Sequence, residues 1–137
     1  MKPVPENILK WMQEEDREKY VKGQLTMAEA LDKYARRQEK ELHRLFNDWL
    51  SLRDLDYTHS RMDKPATIKK GTLDYHVWKA ERHCFVEFKS EHGRLRPEQE
   101  VFITRQCERG TPTLVTTSYV EATQFVSRVL GLEIPYS

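Results

Sequence analysis

A chain of 137 residues is one domain's worth and is long enough to bury a single core. It is 38% hydrophobic and 33% charged, an ordinary soluble composition with a heavily charged surface, and its net charge of +1 leaves any affinity for nucleic acid to local basic patches. No apolar run approaches the ~20 residues of a membrane span, the start Met-Lys-Pro-Val-Pro-Glu has no leader-like apolar stretch, and Cys84 and Cys107 lack metal or disulfide spacing, so a reducing cytoplasm is expected.

Residues 1–24 are expected to form an N-terminal helical extension ahead of a domain at 25–137. Pro5 suits a first helical turn, Ile8, Leu9, Met12 and Tyr20 give a modest apolar side, and Gly23 ends the piece. Thr26-Met27-Ala28-Glu29 then has the capping-box pattern, in which a hydroxyl and a Glu three residues on satisfy each other's backbone N–H groups. The helical pattern runs from there to about Arg53. Leu31, Tyr34, Leu42, Leu45, Phe46, Trp49 and Leu52 recur at helical spacing. Glu39 shares that stripe, lying three residues before Leu42 and seven before Phe46, and a carboxylate there needs a partner. A solvated Glu39 in a Lys/Arg/Glu-rich segment is the bland alternative.

Asp56 to Lys70 lacks periodicity and reads as a loop. Arg61, Lys64, Lys69 and Lys70 make it basic, which fits either phosphate attraction or a merely solvated segment. Thr72–Lys79 and Cys84–Phe88 are rich in β-branched and aromatic residues and read as two strands joined by a turn. Strand side chains alternate faces, so Glu87 and Lys89 point away from Val86 and Phe88, and Asp74 on the neighbouring strand lies beside Glu87. Two carboxylates so close repel unless a cation sits between them, and hard oxygen ligands suit Mg²⁺ or Mn²⁺. His76 and His83 flank this point, and His92 follows in a turn around Gly93. Trp49 and Trp78 are expected in the core. Pro97 opens a helix to about Arg109 with Val101, Phe102 and Ile103 on its apolar side, and Gln99 in its first turn can face the carboxylates. Thr113–Thr117 is the last strand. Ser118-Tyr119-Val120-Glu121 caps a final helix with Phe125, Val126, Val129 and Leu130 inward, stopped by Gly131. This order favours an α/β fold with a mixed sheet flanked by helices.

Gly-x-x-Asp, then Glu-x-Lys, then Gly-x-Leu-x-Pro-x-Gln resembles the VRR-NUC branch of the PD-(D/E)XK nucleases. Gly71, Asp74, Glu87, Lys89, Gly93, Leu95, Pro97 and Gln99 carry the match, within a span from Glu39 to Leu130. Leu73 stands where the family often has Pro, and Arg96 where it has a small hydroxyl residue; neither change removes a catalytic group.

The resemblance implies a restriction-endonuclease-like core and a metal-dependent DNA endonuclease of the small stand-alone, viral-looking type, in the host-cell cytoplasm if viral. Glu39, with Glu41 as the fallback on the same helix, would join Asp74, Glu87 and the backbone carbonyl of Phe88 in holding Mg²⁺ or Mn²⁺. Lys89 would orient the attacking water and stabilise developing charge, and Gln99 would steady Lys89 or the phosphate. Arg61, Lys64, Lys69, Lys70, Arg94 and Arg96 are the expected DNA contacts. The implied substrate is branched DNA such as a Holliday junction, in replication or repair. A two-fold dimer would match that substrate's symmetry, with residues 1–24, including Trp11, at its interface. The competing class is a non-catalytic module that binds structured DNA on the same fold; a sequence-specific restriction enzyme would need a recognition insert for which this chain has little room.

Overall fold

The strand pair read from alternation is the centre of the molecule. In a computed structural model, which describes residues 14–37, 39–60, 73–89 and 94–136 (side chains of 35–40 excepted), β2 (Tyr75–Lys79) and β3 (Arg82–Phe88) form an antiparallel hairpin. Tyr75 faces Val86 and Lys79 faces Arg82 across the pair, and Ala80 takes a positive φ of 55° in the two-residue turn. β1 (Asp56–His59) adds antiparallel to β2, and β4 (Thr113–Thr116) adds parallel to β3, giving a four-stranded mixed sheet in the order β1-β2-β3-β4. Five helices complete the described fold: α1 (Glu14–Val21), α2 (Met27–Arg37), α3 (Glu39–Leu52), α4 (Pro97–Glu108) and α5 (Tyr119–Leu130).

Period-two alternation splits the sheet into two faces. Tyr75, Val77, Cys84, Val86 and Phe88 point to one side and are buried, most of them completely. There they meet Phe46 and Leu50 of α3 and Val126 and Leu130 of α5 in one core, to which Leu31 and Tyr34 of α2 belong. The ends of the helices follow their caps. Thr26 and Glu29 close the reciprocal box at 3.1 and 3.2 Å. Ser118 Oγ accepts from Glu121 N–H at 3.0 Å, while Ser118 N–H donates to Thr116 Oγ1. Asp32 of α2 reaches the same helix start, accepting from Val120 N–H at 3.0 Å and from Ser118 Oγ at 2.7 Å. Gly131 ends α5 in the left-handed conformation at φ 75°, where a side chain would be strained.

Four expectations change. Leu52 is 86% exposed while Leu50 is fully buried; a two-residue offset turns a helical side chain by about 200°, so only one of the pair can face the core. The presumed loop at Asp56 begins with strand β1, whose exposed Asp56 and Thr58 disguise it. Trp78 is only partly buried because it shares the outer face with His76, whereas Trp49 is in the core. On α4, Phe102 and Ile103 are partly buried but Val101 is 58% exposed, and the buried positions are Gln99 and Gln106. No helix among the described residues is long and apolar enough to cross a membrane.

Candidate functional site

Asp74 sits in the bend just before β2, and Glu87 is the sixth residue of β3. The register Tyr75↔Val86 carries one step further to set them side by side at the end of the hairpin. They are locked reciprocally. Asp74 N–H donates to Glu87 Oε1 at 3.0 Å, and Phe88 N–H donates to Asp74 Oδ2 at 2.9 Å. Glu87 is only 3% exposed, although it lies on the face opposite the main core. Such burial of a carboxylate demands a charged partner and donors. The second oxygen, Oε2, receives Lys89 Nζ at 3.1 Å.

Lys89 is in turn held from α4. Gln99, 2% exposed, accepts Lys89 Nζ on Oε1 at 3.2 Å and Arg96 N–H on the same oxygen at 3.0 Å. Arg96 precedes Pro97 at the helix start, so the amide that Gln99 satisfies is one of the unpaired donors of a helix N-terminus. A single side chain therefore closes the start of α4 and fixes the ammonium beside Glu87. Lys89 N–H also donates to Thr116 O of β4 at 3.0 Å, which anchors the backbone.

The opposite face is braced as well. Tyr75, next to Asp74, donates its hydroxyl to Asn47 Oδ1 at 2.7 Å, and His43 Nδ1 lies 3.3 Å from the same hydroxyl. His43 and His59 stack on the Tyr75 ring, with centroids 5.8 and 4.3 Å away. Burial and the Asp74 charge push the Tyr75 phenol well above its ordinary range, so the neutral hydroxyl is the form present. This brace was not singled out from sequence; the i, i+4 spacing of His43 and Asn47 was its one trace.

Of the expected site residues, Asp74, Glu87, Lys89 and Gln99 come together, and Phe88 takes part through its backbone. Glu39 is the first residue of α3, one turn before His43, and its side chain lies outside the described residues. Glu41 is committed elsewhere, in an ion pair with Arg44. Arg94 is exposed and Arg96 partly buried, both on the approach to α4. Arg61, Lys64, Lys69, Lys70 and His92 lie outside the described residues. His76 and His83 bond to each other, Nε2 to Nδ1, at 3.0 Å. Burial first, and the His83 charge second, lower the His76 pKa, which favours a neutral ring.

The hard carboxylate oxygens of Asp74 and Glu87 fit a hard divalent cation in donor chemistry. Among the described residues no three His, Cys, Asp or Glu side chains gather as a metal-binding group, so a third carboxylate would have to come from a side chain such as Glu39. None of the protein-family models, curated proteins or solved structures compared with this chain matches it.

Proposed function

We propose that the chain is a restriction-endonuclease-like, Mg²⁺- or Mn²⁺-dependent DNA endonuclease acting on branched DNA. One observation carries the reading: a carboxylate in the bend before β2 and one on β3 are interlocked at a sheet end, and an ammonium two residues past the second is fixed beside it by a buried glutamine. A buried Glu-x-Lys pair stabilised by a dedicated Gln costs desolvation that an apolar pair would avoid, so chemistry is its better explanation.

In that reading Asp74, Glu87, the Phe88 carbonyl and Glu39 would hold the cation. A cation held there would supply a water of lowered pKa and offset charge on the scissile phosphate. Lys89, held between Glu87 and Gln99, directs its N–H groups at the developing phosphorane charge. Gln99 is a positioning residue: it sets the Lys89 rotamer and does not itself touch phosphate.

A second reading also draws on a specific observation. The side chains of Glu87, Lys89 and Gln99 bond to one another and to nearby backbone amides, as expected of a structural clasp in a non-catalytic module that binds structured DNA. Linear, flapped and four-way-junction DNAs incubated with Mg²⁺, Mn²⁺, Ca²⁺ or EDTA separate the two. The nuclease cuts with Mg²⁺ or Mn²⁺, binds with little turnover in Ca²⁺, and loses cleavage in Asp74→Ala, Glu87→Ala and Lys89→Ala. Undiminished cutting in EDTA or in Glu87→Ala removes the site, whereas tight junction binding without cleavage under any metal favours the module.

A further inference from the structure

The outer sheet face carries a ring cluster that the proposed chemistry does not use. Along β2, alternation puts Asp74, His76 and Trp78 on one side. At ~3.3 Å per residue His76 lies ~7 Å and Trp78 ~13 Å along the strand from Asp74. The rings form a continuous layer. His76 stacks nearly parallel on Phe85 at 4.5 Å, and Trp78 meets His76 at 5.1 Å. His83 fixes the His76 ring through the 3.0 Å nitrogen contact, and Phe102 of α4 backs Phe85 edge-on at 5.0 Å. Phe85 is thus roofed by α4, while Trp78 ends the row near the hairpin turn, partly exposed.

We propose that Trp78 and His76 form a stacking subsite for an unpaired nucleobase on a DNA strand whose nearby phosphate sits at Asp74, Glu87 and Lys89. This rests on the endonuclease reading and narrows its substrate to DNA with unpaired bases beside the cut, as at a branch point. The charge pattern selects the base over the backbone. Among the described strand residues of this face there is no Lys or Arg, and Lys89 stands one residue past β3, at the scissile end. The residue opposite Trp78 is the exposed carboxylate of Asp56, which repels phosphate. A flat aromatic surface beside a carboxylate suits a neutral base, since every base has a π-face. His76 is pre-oriented by Phe85 and His83, so stacking on it costs little side-chain entropy.

The test is fluorescence anisotropy without Mg²⁺ or Mn²⁺, using a labelled single-stranded oligonucleotide and a blunt duplex of equal length. Trp78→Ala lowers the preference for the single strand about tenfold, within the range for loss of one base–aromatic stack, and leaves the slope of log affinity against log salt unchanged. Lys89→Ala, by contrast, reduces that slope by about one. Trp78→Phe retains most of the preference, and thermal melting confirms that both Trp78 variants fold. Wild-type preference in both Trp78→Ala and His76→Ala overturns the subsite; if Asp74-dependent cleavage persists alongside it, the endonuclease reading survives. Trp78-dependent binding with no metal-dependent cleavage supports the subsite and defeats the endonuclease. Failure of the wild type to bind either probe overturns both.

Discussion

Glu87 and Lys89 separate two costs that are usually confounded. The Glu87 side chain is 4% exposed and Lys89 20%, so the ammonium is the more hydrated partner. Lys89→Met leaves a buried carboxylate holding only the Asp74 amide and is expected to cost about 2 kcal/mol, below the range for a fully buried pair because of that hydration. Glu87→Gln keeps an acceptor for Asp74 N–H and removes the charge, so it should melt close to wild type yet lose cleavage. Urea unfolding read beside a metal-dependent cleavage assay checks both, and an active Glu87→Gln would show that the carboxylate charge is dispensable. The cysteines give a second residue-scale prediction. Burial pushes the Cys84 thiol up to about 12, and Cys107 is exposed on α4. Native protein should therefore take up one equivalent of iodoacetamide, at Cys107, and a second only in denaturant. The sign for stability follows: a raised folded pKa keeps Cys84's contribution whole below the ordinary thiol value and loses it as pH climbs toward about 12. The buried Tyr75 and Tyr119 phenols, raised chiefly by burial, act in the same direction.

At the scale of elements, α3 offers two internal controls. Leu50 is fully buried and Leu52 is 86% exposed. Leu50→Ala should cost about 2–5 kcal/mol, while Leu52→Ala should stay within about 0.5; circular-dichroism melts compare them directly. Glu39 and Glu41 differ by the same rotation of about 200°. Since Glu41 already pairs with Arg44, Glu39→Ala should lose cleavage and Glu41→Ala should keep most of it. The opposite outcome would put the metal-facing side of α3 where Arg44 lies. The quartet was legible in sequence because two local rules fix it: strand parity relates positions 87 and 89, and the first turn of a Pro-started helix aims Gln99. The failures share a different cause. β1 is four residues long with its polar side outward. Leu50 and Leu52, or Val101 and Ile103, are equally apolar, and only tertiary packing chooses between them. Trp78 misled because composition does not say which sheet face a Trp takes.

For the whole molecule, the open question is how one small site would cut a branched substrate on two strands. Two sites at a fixed spacing are needed, and a two-fold dimer matches a junction's own axis. Residues 1–24 were the expected interface, but their described part is engaged within its own chain. Asp16 is 3% exposed and pairs with Lys33 of α2 at 3.6 Å, and Tyr20 packs against the core. Gln24 N–H and Gly23 N–H close α1 onto Lys19 O and Tyr20 O. Deleting residues 1–24 would remove these contacts and lower stability whatever the oligomeric state. Deleting residues 1–13 is the sharper cut, since it takes Ile8, Leu9, Trp11 and Met12 and spares α1. The expected outcome is a wild-type dimer in light scattering, a monomer after the short deletion, an unchanged melting temperature at low concentration, and conversion of paired junction cuts into single nicks. A wild-type protein that is monomeric at assay concentration yet resolves junctions symmetrically would defeat the dimer. A monomer that only nicks would leave Asp74, Glu87 and Lys89 as the site and shift the substrate toward a flap or a single-stranded region.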